Sequence, residues 1–275
     1  MRTSNPALND KVFSREIDRS GTGTVPRPPV DDRVSPWTAA RRPPGTTADA
    51  DTMTVGGVVN ISFLLLTLVV VGGWFGWASV EATPDEGVRL PAWLLPVVLV
   101  GFGIAILTVF KPKLARFTAP VYALLEGALL GAISHVYEFR FEGIVLQAFG
   151  LTVGVFTLLL FLYATRIIKV TDNLRMGIVA ATGAVFLVYL VSMVMRLFGV
   201  DVPFIHDSGP VGILFSLAVV VIASLNLVLD FDFIERGAAS GAPRYMEWYG
   251  AFGLLVTLVW LYLELLRLLG KLRSR

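Results

Sequence analysis

Carboxylates inside apolar segments are the residues of this sequence that could do chemistry. Glu126 stands alone within the run VYALLEGALLGAISHVYE, residues 121–138, while Asp230, Asp232 and Glu264 lie in or beside later apolar runs. A charged side chain at the bilayer centre costs about 2.5–3.5 kcal/mol on insertion scales, so such a group is usually turned inward, paired or protonated. Binding of a proton or a cation is the chemistry that these residues favour.

Other residue types that support catalysis or metal binding are scarce. The chain has no cysteine, which excludes a disulfide framework and any thiolate site. Its two histidines, His135 and His206, have too few neighbouring ligands for a metal site. No GxxxxGKS or GxxxxGKT phosphate loop occurs, and the two aspartates of the DFD stretch share one helix end instead of facing each other. We therefore expect no enzyme activity and no resident cofactor.

Composition places the isolated carboxylates in a membrane. The 275 residues are 55% hydrophobic and 16% charged, with a formal net charge of +2. Soluble domains carry about 25% charged residues. Long apolar stretches recur after residue 54, and some reach the ~20 residues that a helix needs to cross a hydrocarbon core. The sequence predicts an all-α polytopic membrane protein whose partner is the lipid bilayer, and the small charge gives no indication of nucleic-acid binding.

The chain divides into a polar tail and a membrane domain. Residues 1–52 are rich in proline and basic residues and lack apolar periodicity, which predicts a disordered tail. Residues 53–275 form the predicted membrane domain. No cleavable signal peptide is expected, because the first apolar run begins only near Val55. Seven transmembrane helices are predicted, at residues 55–80, 92–110, 118–138, 143–164, 177–198, 209–230 and 248–270.

The distribution of lysine and arginine predicts the orientation. The tail and the loops after spans two, four and six carry most of these residues, whereas the alternate loops hold one each. Basic residues stay on the cytoplasmic side, so the N-terminus is predicted to be cytoplasmic. The basic C-terminal end disagrees, because seven crossings place it outside. Seven full spans are the favoured prediction, and a re-entrant late segment with the C-terminus inside is the alternative.

The helix around Glu126 has the features of a tight packing interface. Small residues recur every fourth position at Ala123, Gly127 and Gly131, a pattern that permits close approach of two helices. At 1.5 Å per residue, Glu126 is roughly 12–14 Å into span three and therefore near the midplane. Two interpretations stay open: a static polar clasp, or a group that responds to protons or cations.

Span six carries a second group of polar residues. Asn226 lies four residues before Asp230, so the two side chains share a helical face. Asp230 is expected near the inner end of this span, and Asp232 just past it. The face is a candidate cation site with Asp230 and Asp232 as metal ligands, and a hydrogen-bonded helix end is the simpler alternative.

Four stretches of the sequence resemble a known family. YALLEGALLGAISHVYE, LNLVLDFDFIE and LVWLYLELLRLLGKL, together with MTVGGVVNISFLLL in the first span, are similar in order and spacing to the bacterial branch of the Bax inhibitor-1 family. The resemblance covers about residues 53–275. It implies six helices wrapped around a central seventh, a location in the bacterial inner membrane, and a pH-sensitive calcium leak as the activity.

The resemblance also implies two aspartates, on helices six and seven, that share protons and cations. Asp230 stands at the helix-six position, but the helix-seven position falls on or near Thr257, and residues 248–275 contain no aspartate. We therefore predict that Glu126 replaces the missing carboxylate, with Thr257 as a neutral neighbour at similar depth. Two carboxylates in a low-dielectric gap tend to retain one proton, which a divalent cation would displace.

Two functions remain as alternatives. The first is a passive, pH-sensitive cation leak, with calcium as the ion that the resemblance implies. The second is a non-conducting membrane protein that modulates a membrane protease or a stress response. The unfolded basic tail and the missing helix-seven aspartate favour the second function, and Glu126 at the midplane favours the first.

Overall fold

The computed structural model describes residues 52–83, 87–199 and 209–274. Within these ranges the chain forms seven α-helices, a 3-10 turn at Pro112–Leu114 and a short antiparallel hairpin of β1 (Glu81–Thr83) and β2 (Gly87–Arg89). The helices are α1 (Val55–Ala78), α2 (Leu94–Phe110), α3 (Ala115–Arg140), α4 (Ile144–Ala164), α5 (Asp172–Leu197), α6 (Pro210–Ala239) and α7 (Met246–Arg273).

The predicted all-α polytopic architecture is confirmed. Six of these helices are long and apolar enough to cross a membrane, and α2 is an apolar helix of 17 residues. At 1.5 Å per residue α2 is about 25 Å long, at the lower limit for a hydrocarbon core of about 30 Å. Of the predicted tail, residues 1–51 lie outside the described residues, whereas Thr52 pairs with Pro243 in an isolated bridge.

Local signals explain where several helices begin. The Thr54 hydroxyl caps α1 by accepting a hydrogen bond at 2.9 Å from the N–H three residues later. Pro210 opens α6, at a position where no N–H donor is needed. At the end of α3, Glu138 accepts from the N–H groups of Gly143 and Val145 at 2.5 and 3.0 Å, which satisfies free donors at the start of α4.

The sixth helix is longer than the sequence predicts. The expected end is residue 230, but α6 continues to Ala239. Asp232 and Arg236 form an ion pair at 2.5 Å one turn apart, so the charged residues continue the helix instead of ending it. Asp230 therefore lies about 14 Å before the end of α6 and not at its end.

Contacts between side chains set the direction of α3 and α6 relative to α7. Helix α3 runs parallel to α7, because Tyr122 packs against Phe252 at 5.1 Å between ring centroids, and Ser134 hydrogen-bonds Tyr262 at 2.6 Å. Helix α6 runs antiparallel, since its last part meets the start of α7 and its first turns meet the end. The two contacts that show this are Phe233 with Tyr249, at 6.4 Å, and the Gly212 carbonyl with Lys271, at 3.0 Å.

Helices α1 and α7 begin at the same end of the bundle. The N–H and the hydroxyl of Thr54 both donate to the Glu247 carboxylate, at 2.9 and 2.8 Å. Helix α1 runs parallel to α3, since Gly127 meets Val69 and Gly131 meets Gly73 one turn further on. Because α3 is parallel to α7, the end of α7 lies at the opposite end of the bundle from the start of α1. This geometry agrees with seven full crossings and not with a re-entrant late segment.

Helix α7 is the centre of the bundle. It packs on α1, α3, α4 and α6, and α5 reaches it through the Tyr189 side chain. Two hydrophobic clusters share it: one is formed with α1, α2, α3 and the last part of α6, and the other mainly with α4 and α6. The predicted arrangement around a central C-terminal helix is confirmed.

Candidate functional site

Three polar side chains of α5, spaced seven residues apart, bind polar partners on α6 and α7. The pairs are Arg175 with Asp232 at 2.7 Å, Thr182 with Asn226 at 2.8 Å, and Tyr189 with Glu264 at 3.1 Å. Seven residues are about two helical turns, so the pairs lie along one face of α5 and cover about 21 Å of its length. We call these six residues the polar seam.

Glu264 has the largest number of polar contacts in the polar seam. Its side chain is 2% exposed, and its carboxylate accepts from Arg267 at 2.8 and 2.9 Å and from Trp260 at 3.2 Å, besides Tyr189. Arg267 also donates to the Tyr189 hydroxyl at 2.6 Å. A buried carboxylate is tolerated only with such a counter-charge and hydrogen-bond donors. The surroundings of Glu264 can therefore stabilise a buried negative charge.

Asp230, Asn226 and Thr257 are buried where α6 passes α7. Counting in turns from the contacts of Phe233 and Ile234 places Asp230 level with Gly253 and Asn226 level with Thr257. The Thr257 hydroxyl donates to the Gly253 carbonyl of its own helix at 3.2 Å. Thr257 is thus a neutral group at the depth of Asn226, and Asp230 lies one turn closer to the end at which α7 begins.

Asp232 is held by arginines. Its carboxylate pairs with Arg175 at 2.7 Å and with Arg236 at 2.5 Å. Asp230, two positions earlier, projects about 200° away around the helix. In the described part of the chain, no three or more His, Asp or Glu side chains are grouped to hold a metal ion. The arrangement does not favour the predicted cation site in which Asp230 and Asp232 are both ligands.

Glu126 lies outside the polar seam. It is half-buried, and its polar neighbour is the Tyr122 hydroxyl, one turn earlier on α3. Counting from the contact of Tyr122 with Phe252 places Glu126 at nearly the depth of Thr257. Within the described residues, however, α3 and α6 make no substantial direct contact. The structure therefore does not bring Glu126 together with Asp230.

The small residues of α3 line its contact with α1. A Cβ added to Gly127 would meet the Val69 carbonyl oxygen at 2.3 Å, and one added to Gly131 would meet the Gly73 carbonyl oxygen at 2.0 Å. Ala123, one turn earlier, is fully buried. The two backbones are thus in direct contact along this stripe. The matching glycines of α1 are Gly72 and Gly76.

The sequence of the chain matches the model of a known family. The model of a family described as Bax inhibitor 1 like matches residues 5–274, nearly the whole chain. The chain belongs to the Bax inhibitor 1 like family. The match begins within the N-terminal tail, so the similarity extends beyond residues 53–275, on which the resemblance was based. The comparison with curated proteins finds no match.

Sequence reasoning missed four residues of this Bax inhibitor 1 like protein that the structure places against the predicted polar residues of α6 and α7: Arg175, Thr182, Tyr189 and Arg267. Two signals could have found them. Polar residues recur at seven-residue spacing in the otherwise apolar α5, and Glu264 and Arg267 are three residues apart on α7. These signals were ambiguous, because Tyr and Arg near span ends also mark the membrane interface.

His135 of this Bax inhibitor 1 like protein does not add to the site. It stacks on Trp77 with ring centroids 4.8 Å apart, and its Nδ1 lies 2.8 Å from the Trp77 carbonyl oxygen. His206 lies outside the described residues. Within the ranges that the structure describes, the residues that could act on a cation are the carboxylates of α3, α6 and α7.

Proposed function

We propose that this member of the Bax inhibitor 1 like family is a passive, pH-sensitive cation leak of a bacterial inner membrane, with calcium as the ion. The polar seam is the observation that carries the proposal. Polar and charged side chains are costly inside a membrane, and a row of them over about 21 Å of helix is typical of an ion or proton pathway. The family resemblance supplies the choice of ion.

The proposed cation-responsive groups are Glu264, which belongs to the polar seam, and Asp230, which lies beside the seam, one turn after Asn226 on α6. Both are buried carboxylates, and calcium prefers oxygen ligands such as carboxylates, carbonyls and hydroxyls. Protonation removes the negative charge that attracts a cation, so calcium flux is expected to fall as the pH falls. Glu126 is a third protonatable group near the depth of Thr257, and it acts in this proposal without a direct partner on α6.

Calcium flux into liposomes tests the proposal. The variants are Asp230→Asn, Glu264→Gln and Glu126→Gln, measured beside wild type over a pH series around neutrality. We expect the first two to lower the flux severalfold and to flatten its pH dependence, because each removes an ionisable oxygen with little change of shape. The matched control is Glu81→Gln, which neutralises an exposed carboxylate in the β-hairpin. The proposal would be contradicted if all three test variants kept the flux and the pH response of the wild type.

A non-conducting interaction protein that modulates a membrane protease or a stress response is the second candidate. Thr257 favours this second candidate. At the α7 position where the resemblance implies an aspartate, the chain has a neutral hydroxyl, which hydrogen-bonds to a carbonyl of its own helix. Two results together would support it. Reconstituted wild-type protein would carry no calcium, and deletion of residues 1–51 would abolish a cellular phenotype that Asp230→Asn leaves intact.

A further inference from the structure

A crevice between α1 and α4 opens toward the surrounding lipid. Its volume is about 490 Å³, and its lining is almost wholly apolar. Phe231 and Leu254 form the floor, while Val59 and Leu160, both exposed, stand on the two walls. Among the described residues, α1 and α4 make no substantial direct contact with each other. The space between these two spans is therefore not closed by protein.

One end of the crevice carries charged groups. The Arg166 guanidinium, directly after α4, pairs with the Glu235 carboxylate, which also accepts a hydrogen bond from Tyr163. Arg166 is exposed and has a φ of 60°, a left-handed conformation that helix ends usually give to glycine. An arginine at this backbone position keeps a cation at the mouth of an apolar crevice.

A buried hydroxyl lines the same crevice. Ser62 of α1 is 8% exposed, and its Oγ has no hydrogen-bond partner in the described structure. It lies seven residues, or about 10 Å, beyond the start of α1 at Val55. A buried hydroxyl without a partner is unfavourable, so a ligand with an acceptor oxygen at this depth would satisfy it.

We propose that the crevice binds one bilayer phospholipid. An acyl chain fills the apolar length, an ester oxygen accepts from Ser62, and the phosphate binds the Arg166 guanidinium, which matches phosphate with parallel N–H donors. The distribution of polar groups selects this occupant, because the crevice is apolar along its walls and carries its charged groups, Arg166 and the Glu235 carboxylate paired with it, only at the end where α1 begins. This site is independent of the proposed leak, whose polar seam lies between α5, α6 and α7.

The test measures phospholipid retained by the full chain. The protein is reconstituted in phosphatidylglycerol nanodiscs, transferred to detergent and analysed by native mass spectrometry. Val59→Trp fills the crevice and is expected to abolish the one-lipid adduct. Val70→Trp, at an exposed position of the same helix outside the crevice, is expected to keep it. Equal adducts in these two variants would overturn the proposal.

The phosphate contact is tested separately. Arg166→Ala is expected to lower the phosphatidylglycerol adduct severalfold, whereas Arg116→Ala, which removes an exposed arginine near the start of α3, is expected to leave it unchanged. Diacylglycerol with the same acyl chains should be retained severalfold less, and equally by wild type and Arg166→Ala. Equal retention of both lipids in every variant would contradict the assignment of the phosphate to Arg166.

A second copy of the chain is the competing occupant. Because the natural sequence has no cysteine, Val59→Cys and Val70→Cys each introduce a single thiol. Under the lipid proposal neither variant forms disulfide-linked dimers in bilayers. Dimers at Val59→Cys but not at Val70→Cys, together with the loss of the lipid adduct, would show that another copy covers the crevice.

Discussion

Single residues show how this protein keeps charges inside a membrane, because the buried Glu264 and Lys271 each have defined polar partners. Glu264 is held by Arg267, and Lys271, also buried, donates to the Gly212 carbonyl at 3.0 Å and the Ser216 hydroxyl at 2.8 Å. Removing one partner of a buried pair leaves an uncompensated charge, which costs more than replacing both partners. The energetic role of Arg267 can therefore be separated from that of Glu264.

Arg267→Ala is expected to destabilise the protein by about 3 kcal/mol, because the buried Glu264 carboxylate would lose its counter-charge. Denaturant unfolding in detergent, followed by far-UV circular dichroism, measures this cost.

The double variant Arg267→Ala, Glu264→Gln provides the control for this pair. It should recover much of the lost stability, because no buried charge is left without a partner. Tyr189→Phe, which deletes one neutral donor, should cost only about 0.5–1.5 kcal/mol. A cost for Arg267→Ala that the additional Glu264→Gln substitution fails to reduce would refute the pairing.

Among the elements, α1 and α3 form a contact that depends on the absence of side chains. The Gly127 and Gly131 positions of α3 face backbone atoms of α1, and those atoms cannot rotate away as a side chain would. The contact holds α3, and with it Glu126, at a fixed distance from α7. The small-residue stripe therefore positions a candidate functional residue.

Gly131→Ala is expected to destabilise the bundle by about 1–3 kcal/mol or more, because the new methyl group would overlap the Gly73 carbonyl. Gly150→Ala is the matched control on α4. Its Cβ would meet nothing within 4 Å, so replacing glycine in a helix should leave the stability unchanged or raise it by up to about 1 kcal/mol. Thermal unfolding in one detergent compares them. Equal melting temperatures would mean that the two helices are not in backbone contact.

Helix α5 is attached to the bundle differently from α3. Its contacts with α6 and α7 include the three pairs of the polar seam, whereas α3 meets α1 through a tight apolar interface. Interhelical hydrogen bonds in membranes contribute about 0.6 kcal/mol on average. If the proposed leak conducts, a displacement of α5 would break the ion pair and the hydrogen bonds of the polar seam.

The direction of the helices determines where the two ends of the whole molecule lie. Because α1 and α7 begin together and run in parallel, the bundle places the end of α7 opposite the start of α1. The basic residues at the C-terminus argue against an outside location when sequence is considered alone. The contacts between helices carry more weight than the number of basic residues at the C-terminus, because they fix the direction of α7 relative to α1.

We expect a reporter fused after Arg275 to lie outside and one fused before Met1 to lie in the cytoplasm. Fusions of alkaline phosphatase, which is active only outside, and green fluorescent protein, which folds inside, measure both positions. A fusion after Arg166, in the loop after α4, is the internal control and should be cytoplasmic. Cytoplasmic reporters at both termini would require an even number of crossings.

Much of the fold could be predicted from the sequence because lipid imposes a strong rule on it. Each crossing must satisfy its backbone hydrogen bonds internally, so length and apolarity alone locate helices such as α1 and α4. The ends were less predictable. Helix α6 passes the predicted end at Asp230 because Asp232 finds partners in Arg236 and Arg175, and one of these partners lies on another helix.

The sequence by itself determined which carboxylates are energetically unfavourable inside the membrane. Glu126, Asp230 and Glu264 can be identified before the fold is known, because placing a charged side chain in hydrocarbon costs free energy. Only the tertiary structure decided their partners. Glu264 meets Tyr189 across 75 residues of chain, while Glu126 and Asp230, close in depth, lie on helices without substantial direct contact among the described residues. Depth follows from position along one helix, but a partner depends on how several helices rotate and pack, which no local pattern records.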